Sequence, residues 1–179
     1  SPLDHALDEY PEDTNIETAV RNAKRLLRLV NQLLDFQKLE AGKKTVTLES
    51  LDMVRFLLIC GDYFRSISAN QGIDFSLTHN GEKLTEESSP VYIEGEVDAL
   101  EKIVFNFLSN ALKYTPVAGS IELQIKERDG RLRINVIDTG PGISEEGKNK
   151  LFKVFSQVDE ATTRAYEGTG LGLALAKEL

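Results

Sequence analysis

Ile121-Glu122-Leu123-Gln124-Ile125-Lys126-Glu127-Arg128-Asp129-Gly130-Arg131-Leu132-Arg133-Ile134-Asn135-Val136-Ile137-Asp138 alternates apolar and polar residues on both sides of an Asp-Gly pair. Alternation with period two puts Ile121, Leu123 and Ile125 on one face of a strand and Leu132, Ile134 and Val136 on one face of the next. Asp129-Gly130 suits the tight turn between them, because glycine takes positive φ without steric cost. The stretch predicts a β-hairpin with one apolar face, which helices must cover. Upstream, Val97 to Tyr114 reads as a helix with Leu100, Val104, Phe107 and Ala111 on a core-facing arc. Earlier elements follow the same mixed pattern: a strand over Thr45 to Glu49, a helix over Leu51 to Asn70, a strand over Ile73 to Thr78, a polar loop over Thr78 to Pro90 and a strand over Val91 to Glu94. Helices packed on one face of a mostly antiparallel sheet give an α+β fold, a two-layer sandwich.

Before this domain the periodicity changes. Ile16, Val20, Ala23, Leu27, Val30, Leu34 and Gln37 recur in alternating steps of four and three, and Leu26, Leu29, Leu33 and Phe36 widen the apolar face. The spacing predicts a long N-terminal helix from about Glu12 to Ala41. Its face is broader than a two-stranded seam needs, so a bundle made with a second copy is expected. Asp13-Thr14-Asn15 offers N-cap oxygens and Gly42 a C-terminal stop, which divides the chain into a helical part, 1–42, and a globular part, 43–179.

Composition narrows the function classes. The chain has 179 residues, 41% hydrophobic content and a formal net charge of −8, enough for a core but with no global field drawing in nucleic acid or anionic membrane. Neither partner is expected, and any phosphate ligand must be held locally. No run of about eighteen apolar residues and no signal-peptide pattern occurs, so a cytoplasmic location is expected for this segment, with membrane anchoring left to a longer parent protein. The single Cys60, among Leu57, Leu58 and Ile59, reads as a buried hydrophobe.

The chemistry gathers around glycines and asparagines. Asn106, Asn110, Lys113 and Tyr114 fall on one arc of the second helix, opposite its apolar arc. Asparagine is a poor interior helix former, so two of them beside a lysine ask for a reason beyond solvation. An amide oxygen can ligate Mg²⁺, Lys113 can meet phosphate charge and Tyr114 can lie against a base. Asp138 closes the hairpin where Thr139-Gly140-Pro141-Gly142-Ile143 begins a loop. A carboxylate there can accept from an exocyclic amine such as that of adenine, although an ordinary Asp-Gly turn uses the same residues. Ile143 to Glu167 has little periodicity beyond Leu151-Phe152-Lys153-Val154-Phe155. It suits a lid over a ligand, anchored by Phe152 and Phe155, with Arg164 available for phosphate. Gly168-Thr169-Gly170-Leu171-Gly172 then opens a helix whose free N–H groups can receive phosphates.

Taken together, Asn106 to Tyr114, Asp138 to Gly142, Leu151 to Phe155 and Gly168 to Gly172 resemble the asparagine, first glycine, phenylalanine and second glycine boxes of the sensor histidine kinases. These share an ATPase superfamily with gyrase-type and chaperone ATPases. Arg25 to Gly42 is similar to the second helix of that family's dimerisation hairpin. The resemblance implies a Bergerat-type ATP-binding fold with ATP and Mg²⁺ as cofactors. It implies Asn110 on the metal, Asn106, Lys113 and Arg164 on phosphates, and Asp138 on the adenine amine. It also implies a homodimer through the N-terminal helix, and a response regulator receiver domain as partner. Two departures stand out: neither His5 nor His79 lies in the family's phosphoacceptor context, and the chain stops in the helix after the second glycine box, which suggests a fragment truncated at its C-terminus. Two other readings remain: a hydrolytic ATPase of the same superfamily, whose glutamate general base is replaced here by Asn106, and a degenerate nucleotide-sensing dimerisation module.

Overall fold

A computed structural model describes residues 47–148, 151 and 172–179, with ten helical positions between residues 19 and 37. The first described strand, β1 (Glu49–Asp52), leads directly into helix α1 (Met53–Asn70). Both bounds differ from the sequence expectation of a strand ending at Glu49 and a helix starting at Leu51. The reason is Asp52, whose Oδ1 accepts from the Val54 N–H at 3.0 Å and caps the helix, so that Leu51 and Asp52 remain extended. There they pair with Ile93 and Tyr92 of β4 (Tyr92–Gly95), forming a two-stranded antiparallel ribbon.

The principal sheet has four strands in the order β3-β2-β5-β6, comprising β2 (Asp74–His79), β3 (Glu82–Lys83), β5 (Ser120–Arg128) and β6 (Arg131–Asp138). The hairpin forms as expected, with Asp129 and Gly130 at φ 54° and 69° and Leu123 opposite Val136. Two features differ from the expectation. The 78–90 segment contains β3, turned back on β2 at Asn80-Gly81, where φ is 51° and 91°. The Asn-Gly pair is itself the signal that identifies this hairpin. The central pair β2 and β5 is parallel, Leu77 lying opposite Leu123, so the sheet is mixed. A parallel pair needs a crossover, and α2 (Val97–Tyr114) lies within it.

The core lies between these helices and the inner sheet face: Met53, Leu57 and Phe64 from α1, Val104, Leu108 and Ala111 from α2, Leu77, and Ile121, Leu123 and Ile125 are all buried. Phe107, expected in the core, is 38% exposed, and Leu108 is fully buried in its place. The core-facing arc of α2 is centred nearer Val104, Leu108 and Ala111 than the sequence reading put it. Cys60 is buried as expected; burial, and then the Glu101 carboxylate, push its thiol up to about 11, keeping it protonated and unreactive near neutrality. The two short remaining helices are α3 (Glu145–Lys148) and α4 (Gly172–Glu178). The first is a turn of structure inside a segment read as irregular, started by Ser144 Oγ accepting from the Gly147 N–H at 3.1 Å. Among the described residues no helix is long and apolar enough to cross a membrane.

Candidate nucleotide-binding site

Helix α2 presents its polar arc away from the core. Asn106, Asn110 and Lys113 are half-buried there, and Tyr114, at the last turn, is exposed. The strip from Asn106 to Tyr114 runs about 12 Å along the helix axis at 1.5 Å per residue. Lys113 Nζ lies 4.7 Å from the centre of the Tyr114 ring, which holds the cation at the helix end by a weak cation–π contact. It also adds favourable charge at the negative end of the helix dipole.

Each end of the strip is met by a glycine that could not carry a side chain without disturbing it. A Cβ on Gly172, the first residue of α4, would sit 2.6 Å from Asn106 Oδ1. A Cβ on Gly140 would sit 3.0 Å from the Tyr114 backbone oxygen and 2.7 Å from Asp138 Oδ1. The backbone at Gly140 and at Gly172 therefore closes on the asparagine helix. Ala174 and Leu175 of α4 are buried, fixing that helix against the domain.

The loop after β6 is tied down in detail. Asp138 Oδ1 accepts from the Gly140 N–H at 2.8 Å. Thr139 Oγ1 accepts from the Ser120 N–H at 2.8 Å, and the Thr139 N–H donates to Ser120 O at 3.1 Å. One Asp138 oxygen is thus committed to shaping the turn while the exposed carboxylate keeps acceptor capacity for a ligand. Gly142 has φ 73°, a conformation that a side chain would strain, and the next residue, Ile143, is 47% exposed. An alanine at Gly140 should push the Asp138 carboxylate out of its turn and lower adenine-nucleotide affinity about tenfold, or roughly 1.4 kcal/mol. Titration calorimetry tests this, and an unchanged affinity would show that the close approach is not used.

The structure thus brings Gly172 to Asn106, and Gly140 with Asp138 to Tyr114, on the helix that also carries Asn110 and Lys113, while Gly142 and Ile143 follow in the loop after β6. Phe155, Arg164, Gly168, Thr169, Gly170 and Leu171 lie outside the described residues, as does Phe152. A groove at the β2–β3 turn, lined by His79, Asn80, Glu82, Lys83, Thr85 and Ser88, contains none of these residues. His79 faces Glu127, its Nε2 2.7 Å from Oε1. Among the described residues no group of three or more His, Cys, Asp or Glu side chains could hold a metal.

The family of histidine kinase-, DNA gyrase B- and HSP90-like ATPases matches residues 95–179, the part that contains every element of this site. Residues 95–179 belong to this family, and the curated relatives named here are histidine kinases. It is 32% identical over 186 residues to hybrid signal transduction histidine kinase D of Dictyostelium discoideum, covering 99% of this chain and 12% of that protein. It is 35% identical over 158 residues to sensor histidine kinase WalK of Bacillus subtilis, covering 87% of this chain and 24% of that one. Full-length ShkA, solved in complex with AMPPNP, superposes on it with TM-score 0.74 and 31% identity over 90% of this chain and 32% of that one. The chain thus spans an eighth to a quarter of the curated relatives named here. What it shares with these proteins includes the ATPase domain of the family, residues 95–179.

Proposed function

We propose that this region binds ATP with Mg²⁺ along the polar face of α2, and that the protein it belongs to transfers the γ-phosphoryl group to a histidine other than His5 or His79. The observation that carries this reading is the closure of Gly172 on Asn106 and of Gly140 on Tyr114, which frames a strip of amide, ammonium and phenol groups. Asp138 would read the adenine amine, with Gly140, Gly142 and Ile143 admitting the ring and Tyr114 lying along it. Asn106 and Lys113 would meet the phosphates, joined from the sequence by Arg164 and by the N–H groups of Gly168 to Leu171, with Phe155 anchoring the lid. Asn110 would hold the metal, which supplies charge neutralisation at the phosphate oxygens. The AMPPNP bound by ShkA, a relative at 31% identity, supports the nucleotide.

Phosphoryl transfer depends on positioning and electrostatics more than on covalent help from the protein, and these residues are of the right kind. Hydrolysis would need a base to take the attacking water's proton. The Asn106 amide cannot do so, which favours transfer to an imidazole. The relay partner in this reading is the receiver domain of a response regulator. The assembly is a homodimer built on the N-terminal helix of residues 1–42, and the compartment is the cytoplasm. Support for the dimer comes from Leu26, Leu27, Val30 and Leu34, which are helical and 44% to 62% exposed in the single chain. Apolar residues at that spacing are costly to leave in water.

Calorimetric titration with ATP, with and without Mg²⁺, tests the pocket; absence of any magnesium-dependent binding would overturn the reading. Asp138→Ala should cost about 1–3 kcal/mol of ATP affinity, because the adenine amine loses its acceptor. The same variant should bind a purine triphosphate lacking that amine as well as the unaltered protein does. Equal binding of both nucleotides by the unaltered protein would remove Asp138 from the role.

A further inference from the structure

The sheet has a second face, turned away from the helices, that nucleotide binding does not use. The register places Lys126 opposite Arg133 and Arg128 opposite Arg131 at the hairpin tip. Side chains two residues apart along a strand share a face, so these four cations project together. All are exposed, Arg128 at 90% of its side chain, and the one ion pair that touches them among the described residues is Arg128 Nε to Asp129 Oδ2 at 3.4 Å, itself solvated. Directly opposed like charges weaken a strand pair, and here two such pairs are stacked in a chain whose net charge is −8.

Toward the base of the same face the pattern changes. Thr78 Oγ1 and Gln124 Nε2 both donate to Glu122 Oε1, and Asn135 Nδ2 donates to Gln124 Oε1 at 3.1 Å, so the polar groups there satisfy one another. The Glu122 carboxylate is already engaged and does not neutralise the tip.

We infer that the outer face of the β5–β6 tip, Lys126, Arg128, Arg131 and Arg133, is a docking surface for an acidic patch on another protein. Charge complementarity selects this occupant. The strongly acidic chain as a whole repels extended polyanions, so a long nucleic acid or a charged lipid surface would meet unfavourable charge beyond the tip, whereas a compact cluster of carboxylates would meet four cations against the one carboxylate of Asp129 in the turn. Such contacts act mainly on the association rate and fall with ionic strength.

The test uses the full chain and a fluorescent pentaglutamate peptide, roughly 17 Å when extended, read by anisotropy at rising salt, beside phosphatidylserine vesicles and duplex DNA. Arg131→Glu/Arg133→Glu should weaken peptide binding at least tenfold at low salt and leave ATP affinity unchanged. Because it replaces two like-charge pairs by opposite-charge pairs, it should also raise the melting temperature by about 1–3 °C. A rise in melting temperature without loss of peptide binding, no peptide binding by the unaltered chain, or stronger retention of vesicles or DNA than of peptide would each overturn the inference.

Discussion

Leu108→Ala should destabilise the domain by about 2–5 kcal/mol, the range for removing a fully buried leucine from a core that collapses only in part. Leu108 is 0% exposed and belongs to the cluster that joins α1 and α2 to the inner sheet face, with Met53, Leu57, Ile121 and Leu123 also at 0–1%. Those neighbours come from separate elements, so no single side-chain rotation fills the space a leucine leaves. For a domain of this size the melting temperature should fall by several degrees. The effect on ligand binding should be of a different kind. Asn106, Asn110 and Lys113 stand on the opposite arc of the same helix, so nucleotide affinity measured well below the transition should change little. Chemical denaturation together with calorimetry separates the two. A loss under 1 kcal/mol would mean that the core relaxes around the cavity, and an equal loss of affinity would mean that core and site cannot be separated.

That separation explains which parts of the fold the sequence could reveal. The hairpin and helix α2 were legible because each carries its own period: Ile121 to Val136 alternates, and Val97 to Tyr114, the bounds found, repeats every third or fourth residue. The parallel pairing of β2 with β5 was not, because it rests on contacts between Phe75 and Ile121 or Leu77 and Leu123, some forty-six residues apart, and no local pattern records them. The start of α1 was missed although Asp52 is a good cap, since Leu51 continues the apolar spacing of the helix into what is a strand. Phe107 was misplaced for a related reason: an arc drawn at 100° per residue leaves a side chain at its margin undecided, and the packing partner settles it.

The candidate site shows the same division. Residue types and spacing pointed to Asn106, Asn110, Asp138 and the glycines. What they could not give is why each glycine is needed. At Gly140 the reason is the Tyr114 carbonyl, and at Gly172 it is the Asn106 side chain, two contacts that join distant parts of the chain and exist only in the folded molecule. The missed β3 and the outward cations at the hairpin tip were both written in the sequence, the first in Asn80-Gly81 and the second in the alternation of Lys126, Arg128, Arg131 and Arg133. They became interpretable once the register fixed which residues face each other.

Asn110→Ala is expected to abolish the magnesium dependence of ATP binding, leaving the affinity at the level measured without the metal. Loss of an outer-shell partner costs a metal site about 10–100-fold, and loss of a direct oxygen ligand should cost at least as much. No group of acidic, His or Cys side chains stands by to replace it among the described residues, so the remaining oxygens would have to come from the nucleotide and water. The fold should not suffer. Asn110 is half-buried on the polar arc, and alanine is the better helix former by several tenths of a kcal/mol, so the melting temperature should hold or rise slightly. This pairing of outcomes distinguishes a metal ligand from a merely structural asparagine, whose removal would move stability and leave the magnesium response intact. Asn110→Asp sharpens the contrast. A carboxylate at the same position keeps an oxygen for the metal while adding negative charge beside the phosphates. Magnesium-dependent binding should therefore persist in the Asp variant, and binding without the metal should weaken. If Ala and Asp variants both retain the unaltered response to magnesium in calorimetry, the metal is held elsewhere and the assignment of Asn110 fails.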